Sequence, residues 1–286
     1  MNIRKRSFFL LRLVLALLCV GIPVLLIAIG KNALKQYLDL DVFWVRLIYV
    51  GIVLSIIYAS YAGYVKWIEK RRNTEYAPEL GVRELSLGVF AGAGLVMVQV
   101  IILWIMGFYR VHGIAYSYGI VSFLFLNLIM AFLEELVSRG IVFRILEDGL
   151  GTWIALVLSV LEAGLTHAAN NGATVLSTIA VGLEFGAMQT IIYMLTRRLW
   201  MVTGLHLAWN FTMGGIFGLN VSGMELAGLF KSTLTGPVLF TGGQWGIEAA
   251  LPAILICSGV SVWALHRIVK SGGVRKPMWA RHVPFI

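Results

Sequence analysis

Six side chains that ionise or form hydrogen bonds lie inside long apolar stretches of this sequence. They are Glu134, Glu135, Arg139, His167, His206 and Asn210. Because such a group is expensive to bury among apolar residues, it usually has a buried partner or a chemical role. We therefore treat these six residues as candidate site residues.

Helical spacing sorts four of these residues into two pairs. Glu135 and Arg139 are four residues apart, so the spacing predicts an ion pair within one helix. His206 and Asn210 are also four residues apart, so their side chains point the same way. Either pair could instead stabilise the helix bundle, as a buried ion pair or as a hydrogen bond between helices. The spacing alone therefore does not assign a catalytic role.

The residue types suit the activation of water. A carboxylate such as Glu134, which shares a helix face with Ser138, and a histidine such as His167 can hold a water molecule and take its proton. A second histidine and an amide, here His206 and Asn210, can donate hydrogen bonds to an oxyanion. These parts would make a hydrolase without a covalent nucleophile.

A zinc site is the alternative use of the same residues, because one glutamate and two histidines form a plausible ligand set. The sequence lacks the H-E-x-x-H pattern that would indicate such a site. We therefore expect neither a metal nor another cofactor. Glu162 and Glu184 also lie in apolar stretches, and we leave both out of the predicted site.

These candidate residues are expected to lie on membrane-spanning helices. Of 286 residues, 59% are apolar and only 13% are charged, which excludes a cytosolic enzyme, a disordered chain and a nucleic-acid-binding domain. Spans need about 20 apolar residues. The fold class expected is all-α, one bundle of eight transmembrane helices with a polar cavity: 7–29, 42–64, 85–109, 117–146, 150–168, 173–195, 199–219 and 245–270.

The positive charges predict the orientation of this bundle. Sixteen Lys and Arg residues fall on one side, in both terminal segments and in alternate loops, Arg281 included. The opposite side carries only Lys31, Lys35, Arg110 and Lys231. Both termini should therefore lie in the cytoplasm, and we read the first apolar run as a retained span, not a cleaved signal peptide.

Two motifs in this arrangement resemble a known family. Residues 134–139 (EELVSR) resemble the EExxxR motif of the CPBP intramembrane proteases, also called the Abi or type II CAAX protease family. Residues 206–210 (HLAWN) match its HxxxN motif. In the intervening FxxxH motif His167 is present, but Ala163 replaces the phenylalanine. The resemblance divides the chain into N-terminal helices at 1–116, a core at 117–219, and a loop, last helix and tail at 220–286.

The resemblance also implies roles. Glu134 resembles the general base, with His167 as its partner; His206 and Asn210 look like the oxyanion site; Glu135 and Arg139 look like supporting positions. The function expected is an integral-membrane endopeptidase acting on a peptide or membrane protein among lipids, with no nucleic acid involved. A non-catalytic immunity or peptide-binding protein remains the alternative, and a proton-coupled transporter is a third.

Overall fold

The computed structural model describes residues 3–35, 37–39, 41–226 and 228–280, so Arg281 lies outside the described residues. Three long helices come first: α1 (Ile3–Leu34), α2 (Phe43–Gly63), which continues as a π-helical turn to Ile68, and α3 (Gly81–Ile105). Each is apolar along most of its length, and many large side chains on their outer faces are exposed. That pattern is typical of helices that face lipid.

The second half of the bundle is built from broken helices. A continuous helix comprises α4 (Tyr118–Glu135), a π-helical stretch (Leu136–Phe143) and α5 (Arg144–Leu150). After α6 (Thr152–His167) comes another composite: α7 (Val175–Val181), a π-helical stretch (Gly182–Gln189) and α8 (Thr190–Thr196). The remaining helices are α9 (Trp200–Asn210), continued in π form over Phe211–Ile216, the short α10 (Val238–Thr241) and α11 (Leu251–Lys270).

A helix forms in each of the eight predicted apolar segments, but not every one is long enough to cross a membrane alone. Within the described residues, six helices have that length and composition. The exceptions are α6, with 16 residues, and α9 with its π-helical continuation. The predicted segments 150–168 and 199–219 are longer than the helices observed there, because they include residues of the adjoining loops. A helical membrane bundle is thus confirmed, whereas the count of eight spans is not.

The structure also contains a feature that an all-α prediction misses. Strands β1 (Tyr109–Ile114) and β2 (Phe230–Leu234) pair into an antiparallel ribbon, with an irregular register between Val111 and Gly113. β2 lies in the stretch 220–244, for which the sequence predicts only a loop. A strand this short carries too few residues for its alternation to be visible in an apolar sequence.

Glycines bring α3 and α9 into backbone contact. A Cβ atom on Gly88 would lie 2.0 Å from the Met201 carbonyl oxygen, and one on Gly92 would lie 2.3 Å from that of Leu205. On the facing helix, a Cβ on Gly204 would lie 2.3 Å from the Leu85 carbonyl oxygen. Small residues at this four-residue spacing allow membrane helices to approach closely. The contact fixes the position of α9, which carries His206 and Asn210.

Candidate active site

All four predicted catalytic side chains line one cavity of about 310 Å³. Glu134 reaches it from α4, His167 from the end of α6, and His206 and Asn210 from α9. The apolar part of the wall includes Phe123, Leu126, Met130, Phe185 and Met224. A concave, largely apolar pocket with a few converging polar groups is the usual form of a binding site.

Glu134 and His206 face each other across this cavity. The Oε2 atom of Glu134 lies 3.8 Å from Nε2 of His206. The Glu134 side chain is 31% exposed, whereas His206 is 2% exposed. The carboxylate is therefore open to water or a ligand, while the imidazole is held in the wall.

A buried ion pair contacts the ring nitrogen of His206 that points away from the cavity. Glu135 Oε1 lies 2.9 Å from His206 Nδ1 and 3.2 Å from Arg139 Nη1, and both charged side chains are buried. Arg139 also donates to the backbone carbonyl of Phe185. Because Glu135 occupies Nδ1, the other ring nitrogen of His206 is the one that faces the cavity. Nε2 then accepts a proton in the neutral ring and donates one in the protonated ring.

His167 is oriented by its own helix. Its Nδ1 lies 2.9 Å from the carbonyl oxygen of Ala163. A carbonyl oxygen only accepts, so Nδ1 carries the hydrogen and Nε2 has the free lone pair in the neutral ring. Phe185 packs against both histidines, with ring centroids 6.2 Å from His167 and 4.4 Å from His206. An aromatic side chain thus contacts the histidines although Ala163 replaces the motif phenylalanine.

Asn210 is oriented by a second asparagine. Its Nδ2 donates to Asn127 Oδ1 at 3.2 Å, and Asn127 Nδ2 donates to the Leu207 carbonyl at 2.8 Å. The second bond sets which way the Asn127 amide points, and the first then sets the Asn210 amide. One amide hydrogen of Asn210 is used in this way, which leaves the other for a ligand in the cavity.

The part of the chain that carries the four predicted catalytic residues also matches a family model. Residues 116–212 match the model described as type II CAAX prenyl endopeptidase Rce1-like. This segment is therefore similar to the type II CAAX endopeptidases, and we call it the CAAX endopeptidase segment. The family is a class of peptide hydrolase, and the apolar helices make the chain an integral, multi-pass membrane protein. No significant match was found among curated proteins or among solved structures.

Three π-helical stretches lie next to residues of the site. One begins directly after Glu135, one directly after Asn210, and a third contains Phe185. Each extra residue rotates the following helix face, and such turns are frequent at functional sites. Ser138, expected on the face of Glu134, donates to Glu162 at 2.9 Å and does not line the cavity.

The residues left out of the predicted site have other surroundings. Glu162 accepts the bond from Ser138 and does not line the cavity. Glu184 is 1% exposed, and neither carboxyl oxygen has a hydrogen-bond partner among the described residues. It also lies outside the cavity wall.

Sequence reasoning missed the rim of the cavity, which lies partly beyond the CAAX endopeptidase segment. Asn170 donates to the Ser222 carbonyl at 3.1 Å, which joins the loop after α6 to the loop after α9. Glu248 accepts from Ser222 N at 2.7 Å and from Trp209 Nε1 at 3.1 Å, so it ties the rim to α9. Burial raises the pKa of Glu248, and these hydrogen bonds act against that rise. Asn170, Ser222 and Glu248 belong to no motif, and only their folded positions bring them together.

Among the residues that the structure describes, no group of three or more His, Cys, Asp or Glu side chains is arranged to hold a metal ion. The expectation of a reaction without a cofactor remains a prediction.

Proposed function

We propose that the chain is an intramembrane endopeptidase in which Glu134 and His167 activate a water molecule. The observation that carries this proposal is the convergence of two hydrogen-bond acceptors and two potential donors on one cavity. The carboxylate of Glu134 and Nε2 of neutral His167 are the acceptors. Together they can receive both hydrogens of one water, which leaves its lone pair free to attack a carbonyl carbon.

The proposed reaction needs no covalent enzyme intermediate. Water adds to the peptide carbonyl carbon while its proton passes to Glu134, and the carbonyl oxygen becomes an oxyanion. The intermediate then collapses, the C–N bond breaks, and Glu134 returns the proton to the departing amine. One general acid–base group typically contributes about 10²–10⁴-fold to such a reaction.

The oxyanion is stabilised by Asn210 and His206 in this proposal. Asn210 has one amide hydrogen left after its bond to Asn127. His206 donates through Nε2 when its ring is protonated, and the buried Glu135 beside Nδ1 compensates that positive charge. Both donors are fixed by partners before substrate arrives, which is what electrostatic stabilisation of a transition state requires.

The absence of positive charge in the cavity wall supports cleavage within a peptide chain and not removal of residues from its carboxyl end. Among the described residues that line the cavity there is no Lys or Arg. A site for a free terminal carboxylate would ordinarily present such a cation. The family description refers to prenylated CAAX substrates; the proposal for this chain extends to a peptide or membrane-protein segment and does not require prenylation.

Glu134→Gln tests the proposal, because glutamine keeps the shape of the side chain but cannot take a proton. We expect proteolysis by purified protein to fall at least about 10²-fold, with unchanged membrane insertion. The matched control is Glu79→Gln, which changes an exposed glutamate outside the cavity. Near-normal turnover of Glu134→Gln would remove Glu134 from the mechanism.

A further inference from the structure

Charged side chains from separate segments meet at one end of the bundle. Near the start of α1, Arg12 lies 2.5 Å from Glu69, which directly follows the π-helical end of α2. Arg144, the first residue of α5, lies 3.0 Å from the other oxygen of Glu69. Arg275 of the C-terminal tail lies 2.7 Å from Asp148. These contacts place the start of α1, the end of α2, α5 and the tail at the same end, which we call the network end.

The network end carries nearly all of the basic loops. Arg197 also joins it, through Glu147 of α5. Of the loop and terminal Lys and Arg residues that the structure describes, fifteen belong to the segments that meet here, against four in the opposite loops. Because cytoplasmic loops of membrane proteins are enriched in Lys and Arg, the network end is the cytoplasmic end.

The cavity opens away from the network end. The helix α6 begins at Thr152, which donates to Glu147 in the network, and ends at His167 in the cavity wall. At about 1.5 Å per residue its 16 residues separate these points by about 24 Å.

Five lining residues are exposed and bound the opening: Leu126 and Met130 of α4, and Asn170, Asn171 and Met224 of the two rim loops. Both rim loops follow the ends of α6 and α9 that are remote from the network end. Among the described residues, no lining residue comes from the loops of the network end.

We infer that this cavity takes its substrate from the non-cytoplasmic side. That the cavity cleaves a substrate rests on the proposed function. The side from which the substrate enters rests on the distribution of charged residues and on the geometry of the cavity. The substrate is then a peptide segment exposed outside the cytoplasm, such as an extracytoplasmic loop or juxtamembrane stretch of a membrane or exported protein. A prenylated carboxyl terminus in the cytosol would meet the network end, whose loops contribute no described residue to this cavity.

The exposed Leu126 and Met130 also indicate how a substrate segment would enter the cavity. They form the α4 edge of the opening, on the outer face of the bundle, where lipid would contact them. The opposite edge is formed by polar amides of Asn170 and Asn171. A segment that lies at the outer membrane surface, with one apolar face and one hydrated face, matches these two edges.

Thiol labelling of single-cysteine variants tests on which side of the membrane the cavity opens, and it does not require enzymatic activity. Cys19→Ser and Cys257→Ala give a cysteine-free background, into which Asn171→Cys, Lys231→Cys or Lys270→Cys is introduced. In spheroplasts of a bacterial host, a membrane-impermeant maleimide should label Asn171→Cys and Lys231→Cys. Lys270→Cys, at the network end, should react only after permeabilisation.

Each other labelling result would overturn the inference. Reaction of Lys270→Cys alone, or of both ends in intact spheroplasts, would contradict the orientation. Protection of Asn171→Cys beside a reactive Lys231→Cys would contradict an outward opening.

A second experiment connects the side to the reaction. Peptides that the detergent-solubilised protein cleaves should be cleaved by right-side-out vesicles, and by inverted vesicles only after detergent is added. Cleavage by intact inverted vesicles alone would overturn the inference while leaving the protease proposal intact. Failure of the detergent-solubilised protein to cleave any peptide would count against the protease proposal, and labelling would still decide the side.

Discussion

Arg139 offers the sharpest test of how the site is held together. We predict that Arg139→Met lowers the free energy of unfolding by about 3–5 kcal/mol, the usual cost of removing one partner of a buried ion pair. Methionine retains much of the side-chain volume, so the loss reports the charge and hydrogen bonds more than a cavity.

The magnitude follows from the surroundings of Glu135. Its side chain is 0% exposed, and Oε2 has no hydrogen-bond partner among the described residues. Without Arg139, the carboxylate would retain only its contact with His206. Water cannot replace the lost partner in so buried a position, so the uncompensated charge sets the cost.

A double variant separates stability from activity. Glu135→Gln combined with Arg139→Met removes both charges, so most of the lost stability should return; a residual cost of about 1 kcal/mol is expected from the lost bond to the Phe185 carbonyl. Activity should not return, because glutamine lacks the carboxylate charge opposite Nδ1 of His206. Denaturant titration in mixed micelles gives the stabilities, and peptide cleavage gives the activities.

The ion pair between Arg46 and the exposed Asp41 supplies the control. Asp41 is 83% exposed, so Asp41→Asn should cost no more than about 1 kcal/mol. If Arg139→Met cost as little as Asp41→Asn, or if the double variant were no more stable than Arg139→Met, the buried-pair argument would be refuted.

Four further predictions address packing, the oxyanion, pH and metal. Gly92→Ala should destabilise the bundle because its Cβ would collide with the Leu205 carbonyl, whereas Gly94→Ala, with nothing within 4 Å, should be neutral or stabilising by up to about 1 kcal/mol; equal unfolding free energies would contradict the close packing. Asn210→Leu should lower turnover about 10²–10³-fold with little change in peptide affinity, and lost affinity with intact cleavage per complex would instead favour a binding protein. Burial would raise the pKa of Glu69, but arginine charges and hydrogen bonds lower it from 4.5 to about 2, so up to about 3 kcal/mol of stability should be lost as the pH falls from about 4.5 towards 2; a Glu69→Gln variant with the same pH slope would argue against this origin. Dialysed, metal-free protein should retain activity, and loss on chelation with recovery on adding zinc would establish a metal enzyme.

The local relationships in the site could be predicted because they depend only on helical geometry. Glu135 and Arg139 lie within one helix at a four-residue spacing, and the structure has them in contact. His206 and Asn210 share a face of α9 and both reach the cavity. Ser138 has the same spacing from Glu134, but it donates to Glu162 and does not line the cavity.

Relationships between helices could not be read in this way. Phe185 contacts both histidines, yet nothing in its own sequence neighbourhood distinguishes it from other apolar residues of its helix. The Asn127 amide orients Asn210 from 83 residues away. Such contacts depend on which helix faces pack together, and that is decided by close approaches such as that of Gly88 to Met201.

A membrane bundle, its charge asymmetry and the residue types able to activate water could all be inferred from the sequence. These follow from apolar segment length, from the cost of burying ionisable groups, and from short-range helical spacing. The tertiary structure adds the side chains that orient His206 and Asn210, and the direction in which the cavity opens, away from the network end. Both depend on contacts between residues distant in the chain, such as Asn170 with Ser222, and no local pattern encodes which distant partner a side chain meets.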